Sequence, residues 1–214
     1  MPGREGAVAV LREIIGAGGA LIVAASALYY VVDVLHARTR PQQASWAVWA
    51  VIGLLGFGTA SVGGAGPGAY AAAVDAVACI LTFAISLLPR FGKPGLRRTD
   101  VILAVVAVVG VVVWRWGPLP TSAATLLAVG CALVALWPTL REARRSPQLE
   151  CRLSWGADVV GNAMCVGAAT TTSIAALAYP VYLLLACLAV SIVLMVPRPR
   201  ATDSQQQQLE LTAV

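Results

Sequence analysis

Charge is what this chain has least of. Of its 214 residues only 12% are Asp, Glu, Lys or Arg, while 59% are hydrophobic. A soluble domain carries about 25% charged and about 45–50% apolar residues, so roughly half the charge needed for a water-facing surface is missing. That excludes an ordinary soluble enzyme, a nucleic-acid binder and a disordered chain. Histidine is scarcer still. His36 stands alone, cannot build a zinc site by itself, and reads as an interfacial residue at the polar end of an apolar run. The five cysteines, Cys79, Cys131, Cys151, Cys165 and Cys187, include no CxxC pair, and four lie inside apolar runs. They read as small hydrophobes in packed helices rather than ligands. No GxSxG, no HExxH and no nucleophile–base or metal-ligand set is visible, so neither an enzyme nor a cofactor or metal is expected. The glycine run Gly63 to Gly68 lacks GxxxxGK[ST] and a preceding strand, and is not a phosphate loop. Arg4, Glu5 and Arg12 precede the first apolar stretch without a small-residue cleavage site after it, so no cleavable signal peptide is expected.

What is present is a series of seven apolar segments, near 14–35, 45–62, 69–89, 100–116, 121–140, 154–172 and 177–197. A membrane-spanning helix takes about 20 apolar residues. The segments should be helices, because a chain in hydrocarbon must satisfy its own backbone hydrogen bonds. The alternation of a β-barrel strand is missing, since no polar side chain interrupts Ile102 to Val113. The expectation is an all-α, multi-pass membrane protein with seven spans.

The basic residues sort by connection. Arg38 and Arg40 follow segment 1; Arg90, Lys93, Arg97 and Arg98 follow segment 3; Arg141, Arg144, Arg145 and Arg152 follow segment 5; Arg198 and Arg200 follow segment 7. These are twelve of the fifteen Lys and Arg, leaving Arg4, Arg12 and Arg115 on the other side. The positive-inside rule puts the twelve in the cytoplasm, with the N-terminus outside and the C-terminus inside a plasma membrane. An odd number of spans is needed for that answer. The formal charge of +5 therefore concerns orientation, and no nucleic-acid partner is expected.

Segments 1 and 5 each end in a basic stretch, then Pro-Gln, then Ser-Trp. The first copy holds Pro41, Gln42, Ser45 and Trp46; the second holds Pro147, Gln148, Ser154 and Trp155, with three more residues between Pro and Trp. Two such copies about 106 to 109 residues apart read as an internal repeat. Each proline falls where no helical hydrogen bond is lost. Ser45 and Ser154 read as N-caps, and Trp46 and Trp155 as interfacial rings. Segments 1–3 and 5–7 then run in the same direction, with segment 4 supplying one extra crossing: a parallel 3+1+3 arrangement of two triple-helix bundles. The expected division is an outer segment 1–13, a first bundle 14–89, a linker with helix 4 at 90–120, a second bundle 121–197, and a disordered tail 198–214 containing Gln205 to Gln208.

The repeated Pro-Gln loop, the tryptophan after it and the 3+1+3 count resemble the PQ-loop/SWEET superfamily. The stretches Tyr30 to Trp49 and Trp137 to Asn162 look most like bacterial PQ-loop repeat membrane proteins. The resemblance covers roughly residues 15 to 197. It implies a SWEET-like fold, and relatives that include sugar and organellar amino-acid transporters as well as a retrieval receptor, among which fold does not choose. The family's helix prolines are matched only by Pro138 in segment 5. Segment 1 has Tyr29 and Tyr30, and segments 2 and 6 carry Gly53, Gly56 and Gly58, and Gly156, Gly161 and Gly167, instead.

A polar group inside a span needs a reason. Asp75, flanked by Ala71 to Val74 and Ala76 to Ala78, has no basic residue on its own helix to pair with. It reads either as a proton- or ion-coupling site or as an acid hydrogen-bonded to a neighbouring helix. Its counterpart region in segment 7 is Leu183-Leu184, so the fold does not require an acid there. Trp155, Asp158 and Asn162 share one face of segment 6, facing either a water-filled cavity or a helix seam. Asp158 also has Arg152 within reach. In segment 2, Trp49 aligns with Asp158 and Gly53 with Asn162. Asn162, Trp49 and Asp158 are the substrate-binding candidates. Asp33 reads as an ion pair with Arg38 or Arg40, Arg115 as an anchor between Trp114 and Trp116, and Tyr70 and Tyr179 as interfacial belt. An aspartyl dyad of Asp75 and Asp158 is not expected, because they start from opposite ends of their helices.

The expected function is a secondary transporter or facilitator for a small polar solute, with the two bundles rocking about a central site. The bilayer and that solute are the expected partners, and a homo-oligomer stays open. The alternative is a membrane receptor or assembly partner that transports nothing.

Overall fold

The computed structural model describes residues 2–92 and 98–196. Among them are seven α-helices and no strand: α1 (Pro2–Leu35), α2 (Gln43–Val62), α3 (Tyr70–Ser86), α4 (Arg98–Trp116), α5 (Thr121–Arg145), α6 (Arg152–Ala168) and α7 (Ile174–Met195). Short 3-10 turns, Gly66–Ala69 and Pro147–Leu149, lie in two connections. Five helices are long and apolar enough to cross a membrane, and α4 and α6 fall short on their described residues. The reason for α6 is plain: it has 17 residues, including Arg152, Asp158 and Asn162, and it packs between α1 and α7 rather than against lipid alone. On α4, Val101, Val105, Val108 and Val112 are all exposed at helical spacing, an apolar stripe that water would not tolerate and hydrocarbon would.

The helix bounds differ from expectation at several ends. α1 begins at Pro2, so residues 2–13 continue the first helix. Its 34 residues rise about 51 Å, against about 30 Å of hydrocarbon, so the turns carrying Arg4, Glu5, Arg12 and Glu13 project past the apolar layer. α5 likewise runs on to Arg145 and carries Arg141, Arg144 and Arg145 on its last turns. Lys93, Arg97, Arg198, Arg200 and the tail 201–214 lie outside the described residues.

α3 packs against α1 and α2, and α7 packs against α5 and α6. The two sets meet where α1 lies on α6 and α2 lies on α5. α4 touches α2 and α5. At one end, Tyr30, Val34 and Cys151 cluster with Trp46, Ile85 and Phe91, and Gln43 Nε2 donates to Ser86 O. The basic connections after α1 and α5 therefore converge with the C-terminal end of α3. At the other end the glycine run docks on the α6–α7 connection. Thr170 N donates to Ala65 O at 3.2 Å, Thr170 Oγ1 donates to Gly64 O, and Ser173 Oγ donates to Gly63 O at 3.3 Å. A Cβ on Gly63 would lie 2.7 Å from the Ala175 carbonyl carbon, so a side chain is excluded where the connections touch.

The α1–α6 contact is held by backbone approach. A Cβ on Gly19 would lie 2.6 Å from Gly161 O, and one on Gly161 would lie 2.6 Å from Gly19 O. Farther along, the Ser26 and Ser154 hydroxyls meet at 2.7 Å. Each also donates to the other's backbone carbonyl, at 2.9 Å and 3.0 Å. This corrects two expected caps. Ser154 is inside α6, whose N-cap is Cys151, and its hydroxyl serves the seam. Ser45 is inside α2, whose N-cap is Gln42 with no side-chain cap bond, and its hydroxyl is buried without a partner. The Pro-Gln residues are structural: Pro41 is fully buried, and Pro147 opens the second 3-10 turn with Gln148 exposed. Pro138 lies within α5 as expected.

The expected Asp33 ion pair is present, with Arg38 Nη1 3.5 Å from Asp33 Oδ1. Asp33 O also accepts from the Arg38 and Thr39 amides. Closing α1 this way puts Ala37 at φ +57°, the left-handed region that favours glycine. Ala37→Gly is expected to stabilise the protein by about 0.5–1 kcal/mol, read as a higher Tm in detergent. An unchanged or lower Tm would show that the turn carries no strain.

All five cysteines are free and buried. Burial first, and then the Asp33 carboxylate beside it, push the Cys151 thiol up to about 11. Because the thiolate is the reacting species, a variant keeping only Cys151 is expected to resist iodoacetamide near pH 8 and to label as pH approaches 11. The unfolded chain should label readily near pH 8. Labelling of the folded variant at neutral pH, followed by mass spectrometry, would overturn this.

Candidate functional site

A cavity opens among all the helices except α4. About 60 Å3 of it is open to water-molecule centres. Asp75 and Asp158 both line it, as does Trp49. Asn162 does not. No dyad of the two acids was expected, because they start from opposite ends of their helices. The packing of α6 and α7 against α3 nevertheless places both residues on one cavity.

Asp158 is positioned by the α1–α6 seam. Ser26 lies beside its carboxyl, yet Oδ1 is buried with no hydrogen-bond partner. Arg152 is exposed and is not among the lining residues. Asn162, one heptad from Trp155, is buried, and its Nδ2 donates to Asp158 O at 2.9 Å. It therefore brackets the α6 backbone and is not among the residues lining the cavity. The reason is the crossing at Gly161, which closes α6 onto α1 one residue before Asn162. Asp75 has one soft partner that the sequence did not suggest: Cys79 Sγ, one turn along, donates to Oδ2 at 3.9 Å.

The aromatic residues depart furthest from expectation. Trp46 and Trp155 face the cavity rather than the membrane–water interface. Trp155 is buried, and its Nε1 donates to Glu150 Oε2 at 3.2 Å. A continuous aromatic wall runs Tyr30–Trp46–Trp49–Trp155, with centroid separations of 5.1, 5.5 and 6.5 Å. Tyr179 and Tyr182 face it with centroids 5.8 Å apart. Tyr179 is buried, so the belt reading fails for it. Tyr70 is exposed and donates to Glu13 Oε2 at 2.9 Å. Tyr182 is anchored by donation to Ala132 O at 2.9 Å. Trp49 Nε1 is buried without a partner. Arg115 lies over the exposed Trp116 ring, 5.7 Å from its centroid, in keeping with an anchor.

Tyr30, Cys79, Tyr179, Tyr182 and Cys187 were missed as lining residues. Helical spacing holds a signal for some of them. Asp75, Ala78, Cys79 and Thr82 fall at i, i+3, i+4 and i+7, and Tyr179, Tyr182, Leu183, Ala186 and Cys187 repeat the pattern. All nine line the cavity.

No family model matches this chain, and no curated protein or solved structure compared with it does so either.

Proposed function

We propose that the chain is a transporter or facilitator for a small polar solute, which passes through the central cavity as two three-helix units rock against each other in a bilayer. The observation that carries this reading is the pairing of the cavity's lining residues. Tyr30 and Leu136 stand 106 positions apart; Trp46 and Trp155, and Trp49 and Asp158, stand 109 apart; Asp75 and Leu183, Ala78 and Ala186, and Cys79 and Cys187 stand 108 apart. A near-constant offset means that equivalent faces of α1–α3 and α5–α7 surround one space. The helix contacts support it, since exchanging α1, α2 and α3 for α5, α6 and α7 turns every pair named above into another of them, with α4 left as the extra crossing. Such pairing supports the reading of a parallel 3+1+3 plan like that of the PQ-loop/SWEET superfamily, in which sites lie between the halves near mid-membrane. By the positive-inside rule the basic end faces the cytoplasm of a plasma membrane, and the cavity lies toward that end, near the starts of α2 and α6.

The test is flux. Purified protein in liposomes is expected to equilibrate small polar solutes faster than protein-free liposomes. A panel spanning sugars, amino acids and amines that shows no protein-dependent flux in either direction would overturn the reading and favour a receptor or assembly partner.

A further inference from the structure

We propose that the cavity binds a small organic ammonium cation that carries no carboxylate of its own. This deepens the transport reading and rests on it for passage of the solute, though not for binding.

Two carboxyls, Asp75 and Asp158, line the space, and no Lys, Arg or His is among the lining residues. An anion, or the carboxylate of an amino acid, would find no cationic partner among the described lining residues. Three of the lining polar groups are engaged within the protein. Ser154 is locked to Ser26, Trp155 Nε1 to Glu150, and the Tyr182 hydroxyl to Ala132. Asp158 Oδ1 and Trp49 Nε1 are buried without a hydrogen-bond partner. A metal ion is poorly served, because no group of three or more His, Cys, Asp or Glu among the described residues is placed to hold one.

Six aromatic residues, Tyr30, Trp46, Trp49, Trp155, Tyr179 and Tyr182, also line it, and ring faces attract cations with an apolar skin. Trp46, Trp49 and Trp155 are tilted or edge-on to their neighbours, so ring faces and edges point in more than one direction around the space. Alkylammonium groups are weakly hydrated, present methyl or methylene surface to the rings, and leave their charge for the carboxyls. The cavity's small volume, about 60 Å3 open to water-molecule centres, suits a compact cation.

The experiment is isothermal titration calorimetry of the full-length protein in nanodiscs. The probes are tetramethylammonium, its neutral counterpart tert-butanol, and glycine betaine, which adds a carboxylate. Saturable binding of tetramethylammonium at least about tenfold tighter than either control is expected. Asp158→Asn should weaken it at least about tenfold, and Trp49→Ala should weaken it more than Trp49→Phe, with folding checked by circular dichroism. Equal affinity for tert-butanol or betaine overturns the proposal, as does tetramethylammonium binding that is unaltered in a folded Asp158→Asn protein. If the Asp158 variant does not fold, the ranking of the three probes on the wild type decides. Flux of another solute with no tetramethylammonium binding overturns the cation assignment and leaves transport standing. Tetramethylammonium binding without flux of any solute supports the cation site and overturns transport.

Discussion

A single methyl at position 161 is expected to lower stability by about 1–3 kcal/mol, and Gly161→Leu by more. The Cβ added by Gly161→Ala would sit 2.6 Å from Gly19 O and 2.6 Å from Val23 Cγ2. A backbone carbonyl inside a helix cannot step aside as a flexible side chain can, so α1 and α6 must separate. Separation would also stretch the Ser26–Ser154 pair, the next polar link along the same seam. Gly19→Ala meets Gly161 O at the same 2.6 Å and should behave alike. Combining the two should cost less than their sum, because the first substitution has already parted the helices. Gly156 provides the control on the same helix: a Cβ there meets nothing within 4 Å, so Gly156→Ala should be neutral or gain up to about 1 kcal/mol from helix propensity. Thermal unfolding in detergent reads all five variants. Equal melting of the Gly161→Ala and Gly156→Ala proteins would show that the close crossing does not exist.

Asp158→Asn is expected to reduce solute flux at least about tenfold, whereas Asn162→Ala should leave flux within about twofold and lower stability by about 1 kcal/mol. The two residues lie four apart on one helix, and sequence reasoning ranks Asn162 as the better solute contact because it sits nearer mid-helix. Their surroundings reverse that order. Asp158 lines the cavity with one oxygen unpartnered, so a solute that supplies a donor or a positive charge gains a charge-assisted bond. Asn162 spends its amide on the Asp158 backbone carbonyl, and its loss removes a local hydrogen bond and nothing in the cavity. Liposome flux, normalised to folded protein, separates the roles. The opposite pattern, with Asn162→Ala inactive and Asp158→Asn active, would place the solute elsewhere.

The Pro-Gln repeat is legible in the sequence, and the lining pairs Trp46/Trp155 and Trp49/Asp158 follow directly from aligning its two copies. The inward aim of those tryptophans is not legible. A tryptophan after a loop reads equally well as a lipid-interface ring or as a cavity wall, and the deciding quantity is the rotation of the helix about its axis. Ser45 and Ser154 show the same ambiguity. A serine near a helix start suits a cap, but the helices begin two residues earlier, and Ser154 is claimed by a partner 128 positions away.

The sequence alone determined what depends on runs and sums. Immersion in a bilayer follows from apolar stretches of sufficient length, helicity from the need to satisfy backbone hydrogen bonds without water, and the crowding of basic residues from which connections they occupy. These are local properties that no tertiary contact can reverse. Only the packed structure decided which acids and rings share a space. Helices that are apolar nearly all round carry little periodicity to mark an inner face. Their rotation and depth are set where backbones touch, at Gly19 and Gly161 and at Gly63 and Ala175. Those contacts carry Asp158 into the company of Asp75 and of an aromatic wall, and they hold Asn162 out of it.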